Sequence, residues 1–175
     1  MSDYQNRRTK VGRLLYKSTL KCGSFLGKHL WLYYILNYTW GFIMTFIGWI
    51  IIAFIKVFLR KSLIESKYFG PAYYCMIYND WGGLELGKCF LVSDGASLDW
   101  ILHTKKHELG HTFQNAVLGP FFICLVFIPS AIRYWYQRYR TYKGLDNKPY
   151  DLIWFEGSAT DIGENYYNNY IEGEF

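Results

Sequence analysis

Two histidines, His107 and His111, stand four positions apart, with Glu108 directly after the first. On an α-helix, residues four apart lie on one face, one turn from each other, so both imidazoles can reach a single metal ion. A glutamate beside the first ligand can take a proton from a metal-bound water. The pentapeptide therefore predicts a catalytic zinc site. The alternative is a chance match, in which two satisfied histidines and a solvated glutamate lie on an ordinary helix.

The sequence predicts that this motif lies in the middle of a helix, where a rigid element can hold ligands accurately. A helix start near Ser97, with Asp99 in the first turn, and a stop at Gly119-Pro120 set its limits. His103 continues the four-residue spacing. Inside one helix, however, it would lie about 12 Å from His111 along the axis, too far for one zinc ion. His103 stays a candidate ligand only if the helix begins after it; otherwise it is a neighbour in the cleft.

A catalytic zinc ion commonly has three protein ligands and one position open for water. Among the downstream carboxylates, Glu156 stands out, and its apolar neighbours Ile153, Trp154 and Phe155 argue against full exposure. An otherwise buried carboxylate needs a partner, and a metal ion would serve. The alternative for Glu156 is a solvated carboxylate favoured by the dipole at a helix start.

The motif and the stretch Trp154–Ala159 together resemble the gluzincin metallopeptidases, in which a second helix supplies a glutamate as third ligand. The resemblance implies a zincin-like fold and one Zn²⁺ per chain, held by His107, His111 and Glu156. The chain departs from the family's E-x-x-x-D pattern, because Thr160 occupies the fourth position after Glu156 and Asp161 follows it. Either Asp161 or Asp151 is left to orient the first histidine. A metzincin site is excluded, because its third histidine would fall at Val117.

Further residues are expected at the cleft. Gln114, one turn past His111, would face it and bind substrate or orient a ligand. By resemblance to zincins, a tyrosine from Tyr166, Tyr167 or Tyr170 would donate a hydrogen bond to the oxyanion, and the predicted strand Leu84–Val92 would pair with an extended peptide substrate.

The pattern His-Glu-x-Gly-His-x-x-Gln, followed by Gly-Pro and Pro-Ser, is also similar to a group of small, hydrophobic, uncharacterised bacterial and phage proteins. This similarity extends from Trp40 to Tyr167 and implies no established substrate.

The composition of the 175-residue chain favours one domain at a membrane, since 51% of the residues are hydrophobic and 21% are aromatic. A basic N-terminal arm (residues 1–29) could bind nucleic acid or anionic lipid. The apolar segment that follows, residues 30–61, favours lipid. It is long enough for a membrane-spanning helix and an uncleaved anchor, and the alternative is the central helix of a soluble protein. The four cysteines show no C-x-x-C spacing and indicate neither a disulfide framework nor a cysteine zinc site.

Residues 62–175 are expected to form an α+β domain that is mainly helical. Strands Ala72–Tyr78 and Leu84–Val92 would form a hairpin. The second apolar run, Phe121–Ile128, would be a buried, re-entrant or interfacial segment, followed by a basic and aromatic collar over residues 133–143. A last helix would begin at Tyr150 and carry Glu156.

The sequence therefore predicts a membrane-associated zinc metallopeptidase with a peptide or protein substrate, in contact with membrane lipid and not with nucleic acid. We expect it in the bacterial inner membrane, in an orientation left open by basic residues at both ends of the apolar segment. Glu108 would act as general base toward the water and then as general acid toward the leaving amine. The alternative is a non-enzymatic membrane scaffold or a phage membrane-acting protein, in which Glu108 has no role.

Overall fold

A computed structural model describes residues 9–95 and 97–172. The described residues form an α+β fold that is mainly helical, as the sequence predicts. The first eight residues of the predicted basic arm lie outside the described residues. The elements are α1 (Lys10–Lys28), α2 (Leu30–Tyr38), α3 (Phe42–Phe58), β1 (Leu63–Phe69), β2 (Ala72–Ile77), β3 (Gly83–Leu86), β4 (Cys89–Ser93), α4 (Leu98–Leu118), α5 (Ile128–Tyr142) and α6 (Trp154–Tyr170).

The long apolar segment forms two helices instead of the single helix expected over residues 30–61. Helices α2 and α3 meet at an angle of 84°. Asn115 on α4 holds the corner, because its Nδ2 donates to Asn37 Oδ1 at 2.8 Å and to the Gly41 carbonyl at 3.2 Å. Within the described residues, no one helix combines the length and the apolar character that a membrane crossing needs. The bent pair has both only when its two helices are taken together.

The sheet has the strand order β1-β2-β4-β3. Strands β1 and β2 are antiparallel, β2 and β4 are parallel, and β3 and β4 are antiparallel. The predicted hairpin between Ala72–Tyr78 and Leu84–Val92 is therefore wrong. A turn at Gly87, which has φ 71°, divides the second predicted strand into β3 and β4. Helix α3 sets this turn, since Lys88 N donates to Thr45 Oγ1 at 3.2 Å and a side chain at Gly87 would overlap the Thr45 backbone.

Helices cover both faces of the sheet. Alternate residues of β4 point to opposite sides, so Phe90 and Val92 enter a core shared with α4 and α6, while Cys89 and Leu91 enter a core shared with α3. The sheet is thus the middle layer, with α3 on one side and the predicted metal-binding helix on the other.

Helix α4 begins and ends where the sequence predicts. Ser97 Oγ accepts a hydrogen bond from Trp100 N at 3.3 Å, and Gly119 ends the helix with φ 57°. Two glycines bring α4 into backbone contact with α6. A Cβ at Gly110 would overlap the Ala159 carbonyl, and a Cβ at Gly163 would overlap that of Lys106. The glycine inside the His107–His111 motif therefore lets the two helices approach closely enough to share one site.

The second apolar run is continuous with α5 and is not a separate segment. Residues Ile123–Phe127 form a π-helical turn that leads into α5, with Pro129 in the first turn of that helix. Proline lacks an N–H and its ring crowds the preceding turn, which accounts for the wider turn before it. Phe122 and Val126 are buried, whereas the Phe121 and Leu125 side chains are exposed.

Candidate metal centre

Three ligand atoms from α4 and α6 meet at one point. His107 Nε2 and His111 Nε2 are 3.1 Å apart, and each lies near Glu156 Oε2, at 3.1 Å and 3.2 Å. Ligand atoms about 2.05 Å from a tetrahedral ion are separated by about 3.3 Å, so the observed triangle has the size that one small ion requires. Within the described residues, these three side chains form the group that could hold a metal ion.

Gln114 sets the tautomer of His111. The amide nitrogen of Gln114 donates to the Phe155 carbonyl at 2.7 Å and to Ser158 Oγ at 2.9 Å. This orientation turns Gln114 Oε1 toward His111 Nδ1, at 2.8 Å. Because an amide oxygen only accepts, Nδ1 carries the proton and the lone pair of Nε2 points into the triangle. The expectation that Gln114 orients a ligand fits this contact.

Thr160 sets the tautomer of His107 in the same way. The threonine hydroxyl donates to Asp151 Oδ1 at 3.2 Å, so its oxygen accepts from His107 Nδ1 at 2.9 Å. Asp151 was one of two expected orienting groups. Asp161, the other, instead accepts a hydrogen bond from the Tyr16 hydroxyl on α1. Thr160, which occupies the position of the aspartate in the gluzincin E-x-x-x-D pattern, thus connects His107 to the Asp151 carboxylate.

The lone pairs of His107 Nε2, His111 Nε2 and Glu156 Oε2 face one another, and a cation between them would interact favourably with all three. Burial opposes protonation of His107, but the hydrogen bond to Glu156 and its charge outweigh burial and raise the pKa of His107 to about 9. Burial would raise the pKa of Glu156, yet the two histidines hold it well below its usual range. Among the described residues, Glu156 Oε1 has no hydrogen-bond partner. A bound cation would serve all three groups.

Glu108 lies buried between the triangle and the edge of the sheet. Its carboxylate lies against Gly83, where an added side chain would overlap it. Burial raises the pKa of Glu108, while His107 and His111 partly offset that rise. Strand β3 is an edge strand of the described sheet, since it pairs only with β4, and its Gly83 lies against the Glu108 carboxylate. An edge strand and the carboxylate are thus in direct contact.

Several residues expected near the cleft lie elsewhere. His103 is inside α4, half-exposed, with Nδ1 3.9 Å from Glu164 Oε1, so it is not a ligand. Tyr166 packs against Phe113 with ring centroids 5.2 Å apart, and Tyr167 stacks on Phe69 at 5.8 Å. Tyr166 is therefore part of the core, and Tyr167 packs against that core away from the triangle. Only the first turns of α6 lie next to the two histidines.

The tyrosine next to the candidate ligands is Tyr150, for which the sequence predicted no role at the site. Its ring centroid lies 6.2 Å from that of His107, and its hydroxyl is 3.1 Å from Ser130 Oγ. Arg133 on α5 fastens this turn by donating to the carbonyls of Pro149 and Tyr150 at 2.8 Å and 3.1 Å. Burial, reinforced by the charge of Glu156, raises the pKa of Tyr150, so the phenol stays neutral. No motif spacing marks Tyr150, since it precedes α6 in a short 3₁₀ turn.

No protein-family model, curated protein or solved structure matches this chain. The resemblance to gluzincins therefore rests on the residue patterns of the two helices alone.

Proposed function

We propose that this protein is a membrane-associated, zinc-dependent metallopeptidase of the gluzincin type. One observation carries the proposal: His107, His111 and Glu156 converge in a triangle of ion-binding size, with the lone pairs of both imidazoles directed inward and Glu108 at its side. Two histidines, one carboxylate and an open position form the donor set of catalytic zinc sites in peptidases.

Zinc bound at the triangle would supply Lewis-acid activation of the scissile carbonyl and of the attacking water. Glu108 would take the water's proton onto its carboxylate and later give it to the leaving amine. The raised pKa of this buried carboxyl suits both tasks, because a general base works best when its pKa approaches the working pH. In a scaffold without catalysis, burial of the Glu108 carboxyl would destabilise the fold and serve no function.

Tyr150 would stabilise the developing oxyanion. Its phenol is neutral and can therefore donate, and Ser130 and Arg133 hold the residue from two sides. A donor fixed in advance costs no reorganisation during the reaction.

The edge of β3 that pairs with no strand in the described sheet would bind the substrate main chain as an added strand. Gly83 lies beside the Glu108 carboxylate, where a larger residue would overlap that group. The edge thus lets a peptide backbone pass close to the general base.

Metal content and peptide hydrolysis test the proposal on the detergent-purified protein. We expect about one zinc per chain in the wild type, loss of zinc in His107→Ala, and retained zinc with hydrolysis lowered at least about 10²-fold in Glu108→Gln. His103→Ala is the matched control, since His103 lies one turn from His107 and outside the triangle. Wild-type protein without zinc would refute the metal site. Full hydrolysis by Glu108→Gln would refute the general base.

A further inference from the structure

Helix α3 lies along the sheet over its whole length. Its buried residues follow one face, with Met44, Ile52 and Ile55 in a common core with the strands. At its start Thr45 accepts from Lys88 N, and at its end Lys56 Nζ donates to the Tyr73 hydroxyl at 2.6 Å. Protein therefore covers one side of α3 from end to end.

This packing is incompatible with a crossing of the bilayer by α3. A crossing would carry the attached sheet into the hydrocarbon layer, including the edge strands β1 and β3. Unpaired backbone groups exposed to lipid cost several kcal/mol each, which is why open sheet edges do not occur there. The 84° bend between α2 and α3 also means that the two helices do not form one straight helix across a bilayer.

The opposite face of α3 is an exposed apolar stripe. Its members recur at steps of three and four residues and are between 39% and 71% exposed; they are Phe42, Ile43, Phe46, Ile47, Ile50, Phe54, Val57 and Phe58. A second stripe runs through the π-helical turn and α5 with exposures between 47% and 83%; it consists of Phe121, Leu125, Ile128, Ile132, Trp135, Tyr139 and Tyr142. The stripes are joined where the Trp40 and Phe121 rings meet, with centroids 6.1 Å apart. Together they far exceed the scattered apolar residues of an ordinary surface.

Basic residues end both stripes. Arg60 and Lys61 follow α3 and are exposed, and Arg138 and Lys143 lie among the tyrosines of α5. Apolar faces with aromatic and basic ends match a membrane interface, because the apolar side chains enter the acyl boundary while the cations meet anionic headgroups. The charge therefore favours an anionic lipid surface as the occupant.

We propose that α3 and α5 hold the protein on one leaflet of an anionic membrane without crossing it. This inference rests on the membrane association proposed above and makes it more specific. Helices α1 and α6 and the metal centre then lie on the same side of the bilayer. The metal centre is close to the leaflet, since the buried Phe122 ring lies 6.3 Å from that of His111 and the preceding residue, Phe121, belongs to the exposed stripe. The favoured substrate is a peptide segment at the membrane surface.

Side-specific labelling tests the absence of a crossing. Full-length protein is added to preformed vesicles of phosphatidylcholine and phosphatidylglycerol, and a membrane-impermeant maleimide is added outside. The exposed Cys22 before the bend and a cysteine after α3, Lys61→Cys, report on the two ends, with Cys124→Ser removing the other exposed thiol. We expect both to be labelled as fully in intact vesicles as after lysis. Protection of either one in intact vesicles would overturn the inference.

Vesicle sedimentation tests the surface itself. Ile50→Glu on α3 and Ile132→Glu on α5 should each weaken vesicle binding by about tenfold or more, since each removes one large apolar side chain from the interface. Leu98→Glu is the matched control, because Leu98 is 83% exposed at the start of α4 and outside both stripes. Wild-type binding by both stripe variants, or equal binding to vesicles without phosphatidylglycerol, would overturn the inference.

These readouts are separate from catalysis. Zinc content is measured on each variant, and the stripe variants should keep it. If the wild type lacks zinc while labelling and sedimentation follow the expected pattern, the peptidase proposal fails and the one-leaflet placement stands. If vesicles bind the protein but protect position 61, membrane association stands and the one-leaflet placement fails.

Discussion

The Thr160 side chain orients one imidazole of the candidate metal centre. Its hydroxyl donates to Asp151 and accepts from His107 Nδ1, which keeps the lone pair of His107 Nε2 directed at Glu156 and His111. Groups that orient metal ligands typically contribute 10- to 100-fold to metal affinity.

We therefore expect Thr160→Val to weaken zinc binding by about 10- to 100-fold, because the methyl group cannot accept from the imidazole. Thr160→Ser keeps the hydroxyl and should bind zinc like the wild type. Competition with a fluorescent zinc chelator measures both variants. Equal affinity in Thr160→Val would show that this hydrogen bond does not orient His107.

The tyrosine that serves the oxyanion can be identified with a pair of variants. Tyr150→Phe should lower kcat by about 10²-fold with little change in KM or zinc content, since the lost hydrogen bond is needed chiefly in the transition state. Tyr167→Phe removes the hydroxyl of a tyrosine that stacks on Phe69, and it should leave kcat unchanged. Steady-state hydrolysis of one peptide compares them. A lowered kcat in Tyr167→Phe with an unchanged kcat in Tyr150→Phe would assign the oxyanion hydrogen bond to Tyr167 on α6.

At the scale of elements, the contact between α4 and α6 assembles the centre. Two of the candidate ligands lie on α4 and one on α6, so any separation of these helices enlarges the triangle. Gly110 and Gly163 permit the contact, because a Cβ at either position would meet the backbone of the other helix.

Gly110→Ala should therefore destabilise the fold by about 1–3 kcal/mol and weaken zinc binding, since the added methyl group pushes α6 away. Gly12→Ala is the control. It lies near the start of α1, where the nearest group is Thr9 Oγ1 at 3.1 Å, and it should leave zinc binding unchanged. Chemical denaturation in mild detergent and chelator competition give the two values. A Gly110→Ala protein with normal affinity would refute the role assigned to this contact.

For the molecule as a whole, we expect the candidate metal centre to couple the stability of the fold to pH. In the metal-free protein the pKa of His107 is raised from 6.5 to about 9 by Glu156. A raised folded-state pKa contributes stability that is fully present below the unfolded value and is lost as pH rises through the folded value. The metal-free protein should thus lose on the order of 3 kcal/mol between about pH 6.5 and pH 9.

Zinc should abolish this loss, because the ligand nitrogens are already deprotonated in the bound state. The free energy of unfolding, measured against pH with and without zinc, checks the expectation. Zinc should also raise the melting temperature at neutral pH, since it binds the folded chain in preference to the unfolded one. The same pH slope in both forms would contradict the proposed linkage.

The limits of α4, the helix that carries His107 and His111, follow from residues close to its two ends. Ser97 and Gly119 delimit α4 through hydrogen bonds and backbone angles within a few residues, and the four-residue spacing of His107 and His111 follows from helix geometry alone. The α+β, mainly helical class and the grouping of Glu156 with both histidines also agree with the sequence expectations. Such features need no knowledge of distant residues.

The remaining features depend on contacts between residues that are far apart in the sequence. Asn115 bends the apolar segment at Gly41, and α3 sets the turn at Gly87 that divides the predicted strand. Strand β1 escaped prediction because its charged residues resemble a loop until β2 pairs with it. Tyr150 and Thr160 reach His107 through the packing of α6 on α4. Local spacing determines which residues share a helix face, whereas side-chain packing over dozens of positions determines which faces meet.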